Sequence, residues 1–203
     1  AQHTAVETFA HAHDLGLAGL NVTVPFKEAA AKASVLLDPA AAHLEAANVL
    51  ARRDDGWHGL NTDAPGFVAA LHEAVPNWRD RVETAFVLGA GGAGRAIAYG
   101  LEQAGVERVV LVNRDRDRGE AAGRRLGLEA WGFDRLAEAF SLADLIVNAT
   151  TLGMGAAAVD WPVAVAHPDA IVADAVYAPL ETQLLAAARA RGLTAVDGLG
   201  MLI

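Results

Sequence analysis

The 203-residue sequence contains no cysteine. Disulfide bonds and zinc sites built on thiolates are therefore excluded, and we expect no metal site and a chain compatible with the reducing cytoplasm. Aromatic residues are scarce, at 6%, although hydrophobic residues as a whole make up 53%. With alanine and glycine prominent, this balance is typical of an α/β protein whose helices pack closely on a sheet.

Long apolar runs and an excess of positive charge are also missing. Charged side chains interrupt the longest hydrophobic stretches, so no transmembrane span is expected. The net charge of −9 argues against nucleic acid or an anionic membrane as a partner. The first residues lack the basic start and apolar stretch of a signal peptide. Instead, Val6, Phe9 and Ala10 recur at helical spacing, so we expect a fragment that begins inside a helix.

The first part of the chain combines helical and extended patterns separated by turn residues. Pro25 cannot donate to a sheet, so it should end a strand and precede a helix. Asp54-Asp55-Gly56 between two extended runs is a strong hairpin signal. In order, we predict a helix ending at Gly16, a strand over 19–24, a helix from Lys27 to about Leu37, a hairpin over 48–60 and a helix over 62–74.

The second part alternates continuous apolar strands with amphipathic helices. This pattern predicts a parallel sheet wound with right-handed crossovers. The expected strands cover 84–88, 108–112, 145–147 and 171–173, and the expected helices cover 92–103, 117–126 and 180–190. We place the boundary between the two parts near residues 61–80, and we find no internal repeat.

A glycine-rich turn follows the first strand of this second part. Its residues are Gly89, Ala90, Gly91, Gly92, Ala93 and Gly94. Between a strand and a helix, these glycines allow a tight turn and close approach of a pyrophosphate, and the helix amino terminus attracts phosphate. An ordinary turn is the other interpretation. We predict a two-domain α/β protein, with one domain over 1–75 and a Rossmann-type dinucleotide-binding domain over 76–203.

The end of the next strand bears on which dinucleotide binds. NAD enzymes place a carboxylate there for the ribose 2′-hydroxyl. Here Asn113 can bond the ribose or adenine, while Arg114 and Arg118 can hold a 2′-phosphate in bidentate fashion. Asp115 would repel that phosphate, which leaves NAD possible, and a solvated charged turn is another interpretation. We predict NADP.

Two segments of the first part place ionisable residues where a hydrophobic core would not. Asn21-Val22-Thr23-Val24-Pro25-Phe26-Lys27 puts polar groups at the end of a strand and the start of a helix. Gly59-Leu60-Asn61-Thr62-Asp63 puts a carboxylate at the start of the helix that leads to the Rossmann half. Turn polarity, helix capping or a surface lysine would also account for these residues.

These segments resemble the shikimate dehydrogenase family, which carries Asn-Val-Thr-x-Pro-Phe-Lys and Gly-x-Asn-Thr-Asp-x-x-Gly. The resemblance continues through the glycine-rich turn and Asn113-Arg114, in the same order and over essentially the whole chain. Further matching motifs are Asn148-Ala149-Thr150-Thr151-Leu152-Gly153-Met154, Asp174-Ala175-Val176-Tyr177-Ala178-Pro179 and Gly198-Leu199-Gly200-Met201-Leu202. The family begins earlier, with a Ser-x-Ser-Pro segment, and continues past Ile203, so we expect both ends to be cut short. The resemblance thus implies that the α/β domain over 1–75 is an incomplete substrate-binding domain and that the closing helices of the Rossmann domain are missing.

The resemblance implies a reversible NADP-linked reduction of 3-dehydroshikimate to shikimate in aromatic amino-acid biosynthesis, by a cytoplasmic monomer or homodimer. It makes Lys27 and Asp63 the catalytic dyad, since an ammonium can protonate the alkoxide left by hydride addition and a carboxylate can orient it. The implied substrate-binding residues are Asn21, Thr23, Asn48 and Tyr177; Thr150, Gly198 and Met201 join the glycine-rich turn, Asn113 and the two arginines as cofactor-binding residues. For the asparagines, turn polarity stays an alternative, as does core packing for Tyr177.

Other functions fit parts of this pattern. An NAD-linked quinate/shikimate dehydrogenase would suit Asp115. Glutamyl-tRNA reductase shares a glycine-rich turn and an Asn-Arg strand end, but its thiol nucleophile is excluded because the chain has no cysteine. A ligand sensor or repressor related to the family would bind without turnover, although a pure binder need not keep both Lys27 and Asp63.

Overall fold

The computed structural model describes residues 2–154 and 159–202. The chain divides into two compact units, Ala1–Asp63 and Ala64–Ile203. The division falls at the start of a helix that the predicted domain limits, 1–75 and 76–203, assign to the first domain. Those limits stay a prediction, because compactness alone does not define a functional domain.

The first unit is built on a four-stranded sheet. Its helices are α1 (Gln2–Asp14), α2 (Lys27–Ala33) and α3 (Pro39–Leu44), and its strands are β1 (Gly19–Asn21), β2 (Leu36–Leu37), β3 (Val49–Arg53) and β4 (Gly56–Leu60). The strand order is β1-β3-β4-β2, with β3 antiparallel to both of its neighbours and β2 parallel to β4. The predicted hairpin is confirmed: β3 and β4 meet at Gly56, whose φ of 134° favours glycine.

Small side chains let α1 and α2 lie close to this sheet. The alanines at 29–31 on α2 are buried together with Leu50 of β3 and Trp57 of β4. The Trp57 indole Nε1 donates to the Phe9 carbonyl oxygen at 2.8 Å, which ties α1 to β4. This packing fixes the axis of α2, and Lys27 is the first residue of that helix.

The helix predicted over 27–37 ends earlier, at Ala33. The backbone N–H of Val35 donates to the Trp57 carbonyl oxygen at 2.9 Å, so the chain leaves the helix and runs along β4 as β2. Val35 is β-branched, and β-branched residues favour this extended conformation over the helical one.

The strand predicted over 19–24 is also shorter, and it ends at Asn21, where its pairing with β3 stops. Helix α3 is not predicted from the sequence. Asp38 caps that helix, because its Oδ1 accepts from the Ala41 N–H at 2.6 Å, and Pro39 occupies its first turn.

The second unit contains a six-stranded parallel sheet. The elements from its start are α4 (Asp63–Ala74), β5 (Thr84–Leu88), α5 (Gly92–Gln103), β6 (Arg108–Asn113), α6 (Arg116–Leu126), β7 (Glu129–Gly132), α7 (Leu136–Leu142), β8 (Leu145–Asn148), β9 (Ile171–Asp174), α8 (Gln183–Ala190) and β10 (Thr194–Val196). Short 3-10 helices cover Trp78–Asp80, Phe133–Arg135, Val163–Val165 and Gly200–Leu202. The strand order β10-β9-β8-β5-β6-β7 is that of a Rossmann domain, and it reverses between β5 and β8, where such sheets bind ligands.

The predicted α/β class is confirmed, since the central strands are apolar and buried. Phe86, Val110, Ile146 and Val172 of β5, β6, β8 and β9 are inaccessible to solvent. Such continuous burial is expected where helices cover both faces of a parallel sheet. No helix within the described residues is long and apolar enough to cross a membrane.

Three elements of this unit, β7, α7 and β10, are not predicted by the sequence analysis. The helix predicted over 180–190 begins instead at Gln183. Thr182 sets that start, because its Oγ1 accepts from the Leu185 N–H at 3.3 Å and caps α8.

Candidate active site

Within the first unit, an ion pair joins Lys27, the first residue of α2, to Asp63, the last residue of that unit and the first residue of α4. The Lys27 Nζ donates to Asp63 Oδ2 at 2.5 Å, and both side chains are only 12% exposed. The Lys27 carbonyl oxygen accepts from the Ala47 N–H at 2.9 Å, so the backbone that carries the lysine is fixed to the segment before β3. Two opposite charges held this close with little solvent form a strongly oriented pair.

The amide of Asn48 holds the carboxylate from the other side. Its Nδ2 donates to Asp63 Oδ1 at 3.0 Å and to Thr62 Oγ1 at 2.9 Å, while its Oδ1 accepts from the Thr62 N–H at 2.8 Å. Both carboxylate oxygens of Asp63 therefore have a donor. The structure thus brings together three of the predicted site residues, Lys27, Asp63 and Asn48.

Two residues behind Asp63, the buried Asn61 and the half-buried Asp38, are not among the predicted site residues. Asn61 accepts from the Asp63 N–H at 3.1 Å, and its Nδ2 donates to the Ala46 carbonyl oxygen at 2.8 Å. The Asn61 N–H in turn donates to Asp38 Oδ2 at 3.2 Å. Asn61 stands in the motif Gly-x-Asn-Thr-Asp, and this motif could have identified it as a site residue. The sequence around Asp38 contains no such motif.

Asn21 and Thr23 lie at and just beyond the end of β1, and both are exposed. The turn that follows is closed by the Phe26 N–H, which donates to the Thr23 carbonyl oxygen at 2.9 Å. Between them, the Val22 N–H donates to the Asn48 carbonyl oxygen at 2.7 Å, which links this segment to the backbone of Asn48. Within the described part of the chain no hydrogen bond engages the Asn21 or Thr23 side chain, and their role as substrate ligands stays a prediction.

In the second unit, the glycine-rich turn has the shape that a pyrophosphate requires. Gly89 has a φ of 108°, and a Cβ on Gly94 would lie 1.9 Å from the Gly89 carbonyl oxygen, so the turn cannot carry side chains at either position. A Cβ on Gly91 would meet no atom within 4 Å. The turn is therefore closed on its protein side and open at Gly91, which caps α5 and its free N–H groups.

Asn113, at the end of β6, bridges two loops. Its Oδ1 accepts from the Ala90 N–H at 3.1 Å, and its Nδ2 donates to the Asp115 carbonyl oxygen at 2.7 Å. The amide thus connects the glycine-rich turn to the loop that carries Arg114.

Some charged side chains of that loop have a hydrogen-bond or ion-pair partner among the described residues, and others do not. Asp115 caps α6, because its Oδ1 accepts from the Arg118 N–H at 3.1 Å. Arg116 pairs with Glu120, the Nε and Oε1 atoms lying 2.9 Å apart. Over residues 2–154 and 159–202 the guanidinium groups of Arg114 and Arg118 have no hydrogen-bond or ion-pair partner, and both side chains are exposed.

The other predicted cofactor and substrate residues of this unit follow β8, β9 and β10. Thr150 donates through Oγ1 to Asn148 Oδ1 at 2.7 Å, and Tyr177 is 49% exposed in the loop after β9. A Cβ on Gly198 would lie 2.6 Å from the Ala175 carbonyl carbon, so the loops after β9 and β10 approach each other closely.

Met201 lies in the 3-10 helix Gly200–Leu202, beside α4. A Cβ added to Gly66 of α4 would lie 3.2 Å from the Met201 carbonyl oxygen. The role of Met201 as a cofactor ligand stays a prediction.

Comparison with known proteins gives the family. Residues 2–50 match the shikimate dehydrogenase substrate-binding domain, and residues 72–154 match shikimate/quinate 5-dehydrogenase. A shikimate dehydrogenase (NADP(+)) from Azorhizobium caulinodans is 46% identical over 198 residues, which cover 96% of this chain and 70% of that protein. The chain belongs to the shikimate dehydrogenase family.

Solved structures of shikimate and quinate dehydrogenases share this fold. Quinate dehydrogenase from Corynebacterium glutamicum, in complex with NAD, superposes with a TM-score of 0.87 at 33% identity, covering 97% of this chain and 72% of that one. Shikimate 5-dehydrogenase from Thermus thermophilus, in complex with NADP(H) and shikimate, gives a TM-score of 0.78 at 33% identity, covering 100% and 84%. The resemblance drawn from the sequence motifs is confirmed, and so is the Rossmann-type sheet of the second unit.

Proposed function

We propose that the chain catalyses the reversible NADP-linked reduction of 3-dehydroshikimate to shikimate, as its relatives named shikimate dehydrogenase (NADP(+)) do. The observation that carries the proposal is the Lys27–Asp63 pair, whose charged atoms lie 2.5 Å apart with little solvent. An ammonium and a carboxylate held together at two helix starts suit the protonation of an alkoxide. A protein that only binds a ligand has no need of such a pair.

Lys27 and Asp63 have distinct roles in this reaction. When bound, NADPH would supply the hydride that reduces the ring ketone. Lys27 Nζ stabilises the negative charge that develops on the ketone oxygen and delivers a proton to it; in the reverse direction it removes the hydroxyl proton. Asp63 orients the ammonium through Oδ2. The hydrogen bond that Asn48 donates to Oδ1 keeps the carboxylate from rotating.

The residues of the second unit fit a dinucleotide with a 2′-phosphate. The open side of the turn at Gly91 and the first N–H groups of α5 would hold the pyrophosphate. Arg114 and Arg118 have guanidinium groups available for the 2′-phosphate. Asp115 is engaged as the cap of α6, and the positive end of that helix offsets part of its charge, so it opposes the phosphate less than an unpaired carboxylate would.

Substrate binding by Asn21, Thr23, Asn48 and Tyr177 belongs to the same proposal. Amide and hydroxyl groups are suitable partners for the hydroxyl and carboxylate groups of a polyhydroxylated acid. Cofactor contacts by Thr150, Gly198 and Met201 are proposed on the same basis, since their loops follow the strands of the second half of the sheet. We also propose a cytoplasmic monomer or homodimer with no nucleic-acid partner.

NAD-linked oxidation of quinate is the second candidate. It is favoured by the TM-score of 0.87 with the quinate dehydrogenase in complex with NAD, and by Asp115 next to Arg114. Neither argument bears on the dyad, which serves the same proton transfer for either substrate.

Steady-state assays with shikimate or quinate, each with NADP or NAD, test both candidates. We expect kcat/KM to be highest for shikimate with NADP. A preference for quinate with NAD would replace the first candidate by the second. Ligand binding without turnover of any pair would instead support a sensor and contradict both.

A further inference from the structure

A cluster of buried polar side chains lies between the carboxyl ends of β8 and β9. Asn148 is fully buried, and Asp174 and Thr182 are 1% exposed. All three belong to the second unit, and none is one of the residues that the proposed mechanism uses. Burying a carboxylate and an amide costs free energy unless they are hydrogen-bonded, so this cluster calls for an explanation beyond core packing.

Asn148 organises the loop after β8. Its Oδ1 accepts from the N–H of Thr150 at 3.1 Å and from the hydroxyl of Thr150 at 2.7 Å. Its Nδ2 donates to the Leu152 carbonyl oxygen at 3.0 Å and to Asp174 Oδ1 at 2.9 Å. The loop that contains Thr150 is therefore held at two points to one side chain, which is itself bonded to β9.

Asp174 organises the loop after β9. Its Oδ1 also accepts from the Val176 N–H at 3.0 Å, and its Oδ2 accepts from the Thr182 hydroxyl at 2.7 Å. Thr182 caps α8, so the carboxylate spans the whole loop that carries Tyr177. Burial raises the pKa of Asp174, while these hydrogen bonds oppose the rise.

The loop after β10 packs on the same structure. A Cβ on Gly198 would lie 2.6 Å from the Ala175 carbonyl group and 2.8 Å from the Asp174 carbonyl oxygen. Any displacement of the backbone at 174–176 therefore moves Gly198 as well. Three loops at the carboxyl edge of the sheet depend on Asn148 and Asp174.

A Rossmann sheet binds the two mononucleotides of its ligand over its two halves. The glycine-rich turn and Arg114 belong to the half formed by β5, β6 and β7, whereas the three loops belong to the half formed by β8, β9 and β10. We infer that Asn148 and Asp174 are positioning residues for the nicotinamide half of the dinucleotide site. They act through the loops that carry Thr150, Tyr177 and Gly198, not through contact with the ligand. The inference rests on the proposed function, because it requires a dinucleotide.

Two matched pairs of variants test it. Asp174→Leu removes the acceptor of the Asn148 amide and of the Val176 N–H, while Asp174→Asn keeps an oxygen that can accept both. Thr182→Val removes one donor to the carboxylate at nearly constant volume, while Thr182→Ser keeps the hydroxyl. The Thr182 pair decides the matter if Asp174→Leu does not fold. Glu129→Gln, at the opposite, amino-terminal edge of the sheet, controls for loss of stability alone.

The measured quantities are the dissociation constants of NADPH and of 2′,5′-ADP, which lacks the nicotinamide half. For Asp174→Leu and Thr182→Val we expect NADPH to bind about 10- to 100-fold more weakly, the effect of one or two lost buried hydrogen bonds. Binding of 2′,5′-ADP should stay within about twofold of the unmodified protein, as should both ligands with Asp174→Asn, Thr182→Ser and Glu129→Gln.

Equal weakening of both ligands, or no weakening of NADPH, would overturn the positioning role. An unmodified protein that binds neither ligand would refute the proposed function itself. The two failures are distinguishable, because only the second involves the unmodified protein.

Discussion

Replacement of Lys27 by methionine removes the ammonium of the dyad and keeps most of the side-chain length. If Lys27 Nζ protonates the developing alkoxide, kcat should fall by about 10²- to 10⁴-fold, the usual effect of removing a general acid. Neither the glycine-rich turn nor Arg114 belongs to the unit that contains Lys27. The dissociation constant of NADPH should therefore change little.

The same change has a calculable effect on stability. It leaves Asp63 Oδ2 without its charged donor in a site where the side chain is 12% exposed, although Asn48 still donates to Oδ1. Loss of one charge-assisted hydrogen bond with this burial should lower the free energy of unfolding by about 1.5–3 kcal/mol. Adding Asp63→Asn removes the lone charge, so the double variant should recover part of that stability while its kcat stays low.

Urea unfolding and steady-state kinetics on the single and double variants separate the two effects. Lys32→Met is the matched control, because Lys32 is exposed on the same helix, and we expect it to leave kcat and stability unchanged. An unchanged kcat in Lys27→Met would refute the assignment of the general acid. Recovery of kcat in the double variant would show that the single variant had lost structure and not chemistry.

Three further predictions concern the second unit. Arg114→Ala should weaken NADP binding by about 1.5–3 kcal/mol and leave NAD binding nearly unchanged in titrations; equal losses would show that Arg114 does not bind the 2′-phosphate. Gly91→Ala should weaken dinucleotide binding without changing Tm, because its Cβ has space in the fold, whereas Gly94→Ala should lower Tm, since its Cβ would lie 1.9 Å from a carbonyl oxygen. Burial alone would raise the pKa of Glu129, but hydrogen bonds from Arg108 and a neighbouring indole lower it overall. Stability from this group is therefore present above its unfolded pKa and lost as pH falls through the folded one, so Glu129→Gln should flatten the acid limb of a Tm–pH curve.

The parts of the fold that the sequence predicted are those with a strong local signal. The strand at 84–88 and the helix at 92–103 have the predicted limits, because an apolar run, a glycine-rich turn and an amphipathic stretch define them unambiguously. Strand β7 was missed since its four residues, Glu-Ala-Trp-Gly, contain no apolar run. Strand β2 was missed because it exists only through pairing with β4, a contact that is distant in the sequence.

In the candidate site, too, the residues with a local sequence signal were predicted, and the contacts that depend on packing were not. Lys27 and Asp63 were found because each stands in a motif, but their 2.5 Å contact depends on the packing of α2 against the sheet, which no motif encodes. Asp38 shows the limit: it reaches the site only through the backbone of Asn61, and its own neighbours in sequence predict no more than a helix cap. Asp115 shows a different limit, since a carboxylate that suggested competition with a phosphate is used as the cap of α6.

Asn48 immediately precedes β3, while Asn113 and Asn148 end β6 and β8, and each of the three amides both donates and accepts. Asn113 accepts from the glycine-rich turn and donates to the loop of Arg114, and Asn148 accepts from one loop and donates to a carboxylate on the next strand. An amide carries its acceptor oxygen and its donor nitrogen on two separate atoms, whereas an ionised aspartate has no donor and serine has a single oxygen for both roles, so neither could replace it fully. Asn48 and Asn113 are predicted ligand contacts, and Asn148 is not, yet the amides of all three are already engaged within the protein. Such a residue affects ligand binding by fixing two loops at once, and its substitution should change affinity even where it does not touch the ligand.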